Sequence, residues 1–183
     1  TVGQSEAWST VASGYDDMIR AFSAFHDYAA TFGNLKSSDV VLDLACGSGG
    51  LTRIIHSKVS KVYCYDFAHK MIHIINCQVD ADGIKNVFPT VGDGENLIYK
   101  DRFFDKIFSI YGLKFFPDRI KGLLEAFRVL KPGGRLILGI WAPVEELEMF
   151  NVLLDAMNKT LPQIEKPEHV SSMDSEDIMN SEL

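Results

Sequence analysis

The chain has 183 residues, 46% of them hydrophobic and 23% charged, enough to bury one substantial core. Its formal net charge of -7 offers no basic face to a nucleic-acid backbone, so DNA and RNA are excluded as expected partners. No apolar run reaches the length of a membrane span, and the three cysteines, Cys46, Cys64 and Cys77, lack metal-ligand spacing and read as reduced thiols of a cytoplasmic protein.

Residues 4–33 carry apolar side chains at helical spacing: Trp8 and Val11, then Met18, Ile19, Phe22 and Phe25. Gly14 divides them into two helices, and Gly33 with Asn34 closes the second. Val40 to Leu44 is a short apolar run before glycines, a buried strand. A helix follows from Leu51 to Ser57, then a second strand from Lys61 to Tyr65. The helix from Ala68 to Val79 sets Met71, Ile72, Ile75 and Val79 on one face. Val87 to Val91 and Asp105 to Tyr111 are the third and fourth strands, and Ile120 to Leu130 is the next helix. The segment 131-KPGG-134 is expected as a tight turn, because Pro presets one backbone angle and Gly supplies the other. Arg135 to Trp141 is the fifth strand, and Glu145 to Thr160 reads as a further helix.

Strands alternating with helices require right-handed crossovers and a parallel sheet covered on both faces. The expected fold is α/β, doubly wound and mostly parallel, with strand order 3-2-1-4-5. Residues 1–38 read as an N-terminal helical cap, 39–141 as the core and 142–183 as a helical extension. Ligands of such folds bind at the carboxyl ends of the strands, beside the point where strand order reverses. The residues just after each strand are therefore the candidates.

After the first strand come Asp43, Ala45, Cys46, Gly47, Ser48, Gly49 and Gly50. Glycines allow positive φ and close approach of a ligand, and the following helix offers unpaired N–H groups. Ala45-x-Gly47-x-x-Gly50 nearly matches the dinucleotide fingerprint, while Asp43-x-Ala45-x-Gly47-x-Gly49 reads as an acid-led glycine loop; the glycines do not choose between them. After the second strand comes Asp66, placed to accept from both hydroxyls of a ribose or to cap the helix near Ala68. After the third comes 92-GDGENL-97, where Asp93 could accept from an exocyclic amine and the Gly94 N–H donate to a ring nitrogen, or the pair could form an ordinary Asp-Gly turn. After the fourth come Ile110, Tyr111, Gly112 and Leu113. Three acids at three successive strand ends favour a nucleoside with positive charge over a pyrophosphate.

The series VLDLACGSGG, YDFAHKM, GDGENL, FDKIFSIYGLKFFPD and LLEAFRVLKPGGRLILGIW resembles the class I S-adenosylmethionine-dependent methyltransferases, most closely the ubiquinone/menaquinone-biosynthesis branch. The resemblance runs from about Trp8 to Trp141. It implies a Rossmann-like methyltransferase fold and S-adenosylmethionine as cofactor, with S-adenosylhomocysteine as product. It also implies that Asp43 and the backbone from Ala45 to Gly49 hold the methionine part. Asp66 would hold the ribose, with Phe67 and Met71 against the adenine. Asp93 and Gly94 would read the adenine edge, and Tyr111 with Ile110 would lie under the sulfonium. Tyr15 would cap the cofactor carboxylate, with Trp8 helping to close the site. Two departures stand out: Ala45 replaces the commoner glycine, and Lys114 stands where many relatives have histidine.

Methyl transfer is an in-line displacement in which the protein supplies position and desolvation, so no catalytic dyad is required. A base is needed only if the acceptor must lose a proton, and Tyr111, Tyr15 and His26 are the candidates. The aromatic residues Phe22, Phe25, Tyr28 and Phe32 are expected to serve packing, and the five histidines form no metal site. The expected function is methyl transfer to a small-molecule or lipid-like acceptor. The alternatives are a cofactor-binding protein without activity and, on the fingerprint and Asp66 alone, an NAD-dependent oxidoreductase. The resembled family usually adds two further strands, so the C-terminal end reads as incomplete. The fifth strand would then be an open edge, a liability that a second copy of the chain would cover.

Overall fold

A computed structural model of the chain describes Glu6, Ser9, Thr10 and residues 23–142. The chain divides into two compact units, Thr1–Gly139 and Ile140–Leu183, and the sheet belongs to the first. In chain order the described elements are α1 (Ser23–Phe32), β1 (Val40–Leu44), α2 (Gly50–Ile55) with a 3-10 turn at His56–Lys58, β2 (Lys61–Asp66) and α3 (His69–Ala81). They continue with β3 (Val87–Val91), β4 (Phe104–Ile110), a 3-10 turn at Leu113–Phe115, α4 (Arg119–Val129) and β5 (Leu130–Gly139).

The five strands form one sheet in the order β3-β2-β1-β4-β5, and every pairing is parallel. The expected order and class therefore hold. Alternation along the central strand builds two cores, because successive side chains leave a strand on opposite faces. Val41 joins Ile55, Val62, Cys64, Ile72, Ile75 and Phe108 on one face. Leu42 and Leu44 join Tyr65, Phe104, Ile107, Ala126 and Val129 on the other. Strand order reverses between β1 and β4, so the crevice opens above the carboxyl ends of these two.

Both outer strands carry proline, which lacks the N–H a central strand must donate. Pro89 lies in β3, and Pro132 lies in β5. The expected turn at 131-KPGG-134 is corrected here. These residues lie inside the span of β5 as a bulge: Phe104 pairs with Leu130 and Lys106 with Arg135, so β5 inserts extra residues, with Gly133 at φ +76°. Pairing with β4 resumes at Lys106 and Arg135; among the described residues β5 pairs with β4 alone, and an interrupted ladder is tolerated there.

A second correction concerns α1. Its buried residues are His26, Ala29 and Ala30, which leaves Phe25 52%, Tyr28 71% and Phe32 66% exposed. The small alanines let α1 lie close to α2, and the aromatic residues point away from that contact. Phe22 lies outside the described residues.

Candidate cofactor-binding site

Hydrogen bonds hold the strand ends at the crevice in two sets, β1, β2 and β3 in one and β4 and β5 in the other. Where β1 ends, the Ala45 and Cys46 N–H groups donate to the Tyr65 carbonyl at 2.7 and 3.3 Å, and the Gly47 N–H donates to Asp66 Oδ2 at 2.9 Å. Where β3 ends, the Gly92 N–H donates to the Asp66 carbonyl at 2.9 Å. Where β4 ends, the Tyr111 N–H donates to the Gly139 carbonyl of β5 at 2.7 Å. Asp66 thus lies at the junction of the ends of β1, β2 and β3.

The turn after β1 needs left-handed backbone. Ala45, Gly47 and Gly49 have φ of +56°, +53° and +85°. Glycine enters that region freely, whereas alanine is strained there by its Cβ. Ala45 is therefore strained where the resembled family places glycine. Tyr111, at the end of β4, is a second strained residue at φ +62°. The two strained positions are linked through Gly112: a Cβ there would collide with the Ala45 Cβ. Backbone strain clustered at one place is common at binding sites.

Asp43 is 2% exposed and stands on the β1 face that looks towards α2, opposite Cys64 in the β2 register. Its Oδ2 accepts from Thr52 Oγ1 at 2.6 Å, and the same hydroxyl lies 3.1 Å from the Cys64 sulfur. Burial pushes the Asp43 carboxyl up to about 6, and the nearby Asp66 adds to the rise while the Thr52 bond opposes it. Thr52 was not among the expected site residues. Its signal was a hydroxyl inside the otherwise apolar run 51-LTRII-55, in the first turns of the helix that follows the glycines.

Asp66 accepts the Gly47 N–H on Oδ2 and the Ala68 N–H on Oδ1 at 2.8 Å, and the Phe67 N–H also bonds its carboxylate. The bond to Ala68, the N-cap residue of α3, turns the chain into that helix. Burial raises the Asp66 carboxyl, and the N–H groups of Ala68 and Gly47 counter the rise. Asp93 is exposed, and its Oδ1 accepts the Glu95 N–H at 2.9 Å. Its carbonyl accepts the Asn96 N–H at 3.0 Å, so the Asp-Gly turn forms. Gly94 has a packing reason to lack a side chain: Phe116 and Leu44 occupy the space of its Cβ.

Tyr111 is half-buried and lies edge-on to Phe25, ring centroids 6.0 Å apart at 79°. Burial raises its phenol, which stays protonated at neutral pH. Ile110 and Phe67 are half-buried, whereas Cys46 and Ser48 are buried and Met71 is only 2% exposed, packed with Ala68 and Ile74. His26 is 5% exposed and faces α2 rather than the crevice; burial, with Arg53 nearby, lowers its pKa, and its Nδ1 finds no hydrogen bond among the described residues. Tyr15 and Trp8 lie outside the described residues. The described residues hold no cluster of metal-ligating side chains and no helix long and apolar enough to cross a membrane.

The donor set suits an adenosyl ligand with positive charge. Acids stand at the ends of β1, β2 and β3, and Asp66 faces the glycine turn at hydrogen-bond distance. Asp66 by itself is common to the dinucleotide reading; the buried Asp43 beneath the same turn is the charge that disfavours a pyrophosphate there.

Comparison with known proteins agrees. Over 140 residues the chain is 33% identical to the ubiquinone/menaquinone biosynthesis C-methyltransferase UbiE of Hydrogenovibrio crunogenus, covering 72% of this chain and 55% of that protein. It is 33% identical over 141 residues to the demethylmenaquinone methyltransferase of Lactococcus lactis, covering 72% and 56%. The chain thus spans a little over half the length of these relatives. Among solved structures, a SAM-dependent methyltransferase from Aquifex aeolicus aligns with TM-score 0.61 and 26% identity over 64% of each chain. The YcgJ protein of Bacillus subtilis aligns with TM-score 0.67 over 86% of this chain and 64% of its own, and at 24% identity it speaks for the fold alone. Residues 4–167 match the ubiE/COQ5 methyltransferase family, and the chain belongs to it.

Proposed function

We propose that this chain forms the cofactor-binding part of an S-adenosylmethionine-dependent methyltransferase acting on a ring carbon of a quinone precursor. The observation that carries the reading is the junction at Asp66, where the ends of β1, β2 and β3 meet around an acid and a glycine turn. The acceptor class follows the names of the two curated relatives, both quinone-biosynthesis methyltransferases.

The cofactor, when bound, supplies an activated methyl group. The chain's own residues bind and orient. Asp66 accepts from the ribose, and the turn from Ala45 to Gly49 lets the methionine part lie against backbone. Asp93 accepts from the adenine amine. Tyr111, protonated at neutral pH, does not serve as a base and closes one side of the reacting centre with Phe25. Asp43 braces the turn from below through Thr52 and contributes negative charge to a ligand carrying sulfonium and ammonium.

Incubation of the protein with methyl-labelled S-adenosylmethionine and demethylmenaquinone tests the reading. Label on a ring carbon supports it. Tight binding of S-adenosylhomocysteine without transfer to any quinone precursor replaces it with the inactive-binder reading, and binding of NAD in place of the adenosyl ligands removes it. Among the described residues β5 pairs on one side only, with β4. A second copy covering that edge is part of the proposal, and a monomer in sedimentation velocity at all concentrations would remove it.

A further inference from the structure

Arg128 spends every donor it has. Its Nε and one Nη2 hydrogen form a two-point bond to Glu125, each at 2.7 Å. Its remaining N–H groups reach the Leu97 carbonyl at 2.9 Å, the Tyr99 carbonyl at 2.8 Å and Asp101 Oδ1 at 2.8 Å. A guanidinium has five N–H donors in a rigid fork, and all five are used. Three of them end on the connection between β3 and β4, the segment that carries Asp93. Glu125 completes the grip, since its Oε2 also accepts the Leu97 N–H at 2.7 Å. Leu97, 4% exposed, is therefore held by both its N–H and its carbonyl.

The same connection is tied at a second point. Glu95 Oε1 accepts the N–H of Asp118, the residue that caps α4, at 2.8 Å. Phe116 fills the space beside both Gly94 and Gly122, the latter on α4. From Asp93 to Leu97 the chain is a single tight turn, closed by the Glu95 and Asn96 N–H bonds to Asp93. The turn is held on its other side by the Gly92 N–H on the Asp66 carbonyl, so Asp93 lies between two anchored points.

We infer that Glu125 and Arg128 are positioning residues for adenine recognition: by clamping Leu97, Tyr99 and Asp101 to α4 they set where the Asp93 carboxylate stands. This rests on the reading of Asp93 as acceptor for the adenine amine. Neither residue touches the ligand; their effect runs through the turn.

The test is a binding comparison of S-adenosylhomocysteine with S-inosylhomocysteine, in which a carbonyl replaces the amine. The variants are Asp93→Asn, Arg128→Lys, Glu125→Gln and the double variant Asp93→Asn/Arg128→Lys. Circular dichroism melts select variants that remain folded at the assay temperature, and Glu125→Gln, which keeps its shape, stands in if Arg128→Lys does not. The wild type should prefer the adenosyl ligand. Asp93→Asn should cut that preference roughly tenfold, the scale of one charge-assisted hydrogen bond. Arg128→Lys should cut it by a similar factor, and the double variant should lose no more than either alone, since coupled residues do not add. If Asp93→Asn reduces the preference but Arg128→Lys and Glu125→Gln lower only the melting temperature, the clamp is structural and the inference is overturned. If Asp93→Asn leaves the preference intact, the reading of Asp93 itself falls, and the inference with it.

Discussion

The Gly47 N–H points at Asp66 Oδ2 across 2.9 Å, so the acid at the end of β2 holds the glycine turn that leaves β1. The other oxygen of Asp66 holds Ala68 at 2.8 Å, at the entry to α3. One carboxylate thus sets the distance between the two loops that a nucleoside must bridge. On the proposed reading of Asp66 as ribose acceptor, these fixed bonds would lower the ordering cost of binding.

Asp66→Ala should abolish this arrangement. It removes the proposed ribose acceptor and leaves the backbone N–H groups of Gly47, Phe67 and Ala68 without their carboxylate partner. Hydrogen bonds to a charged group contribute about 1.5–3 kcal/mol each, so S-adenosylhomocysteine affinity should fall roughly a hundredfold or more. Isothermal titration calorimetry reads the loss directly. An affinity within about twofold of wild type would take Asp66 out of the site.

Ala45 and Gly112 should behave as a coupled pair. Gly112 has φ −85°, so alanine there meets no backbone strain and its cost comes from the Ala45 Cβ. Gly112→Ala should destabilise by about 1–3 kcal/mol, the range for overpacking. Ala45→Gly removes both the Cβ and the strain of φ +56°, and should by itself be neutral or stabilising by up to about 1 kcal/mol. In the double variant most of the Gly112→Ala loss should return. Chemical denaturation of the four proteins measures the coupling, and strict additivity would refute the contact.

Much of this architecture is legible in the chain itself, because strong local rules agree there. Val40 to Leu44 and Val87 to Val91 are apolar runs bounded by turn residues, and they form at those bounds. Alternation of such runs with helices leaves few topologies. Less legible are features that depend on contacts between distant segments. Thr52 is unremarkable until the pleat of β1 turns Asp43 towards α2. KPGG reads as a turn on local chemistry, yet β4 continues alongside and makes it a bulge. The periodicity of α1 showed apolar residues but not which of them the sheet would take, and alanines displaced the aromatic residues because they allow closer approach.

His26 should reveal itself as a stability residue. Burial lowers its pKa, so the folded protein holds it neutral, with Arg53 disfavouring the charge and Asp27 favouring it slightly. A base with a lowered folded pKa contributes stability that is full above its unfolded value, about 6.5, and is lost as pH falls below it. His26→Leu should therefore gain on wild type in thermal melts as pH drops from 7 to 5, with little difference above 7. A large drop in methyl transfer at unchanged stability would return His26 to the candidates for a base.

Asp43 carries the opposite sign and the larger effect. Its folded pKa is raised, to about 6 from an ordinary 3.8. A raised acid is least costly where both states are protonated, below pH 4, and its cost grows as pH rises and levels off above 6. About two units correspond to roughly 2–3 kcal/mol at neutral pH. Asp43→Asn keeps an acceptor for Thr52 and removes the buried charge, so its melting temperature should exceed that of wild type by several degrees at pH 7.5 and match it near pH 4. The same substitution should weaken S-adenosylmethionine more than S-adenosylhomocysteine, because only the former has a sulfonium to attract a carboxylate. Stability retained at the cost of binding is the pattern expected where a fold accepts strain for function. Equal melting temperatures at both pH values would show that the Thr52 bond offsets burial, and equal loss of both ligands would remove the charge role of Asp43.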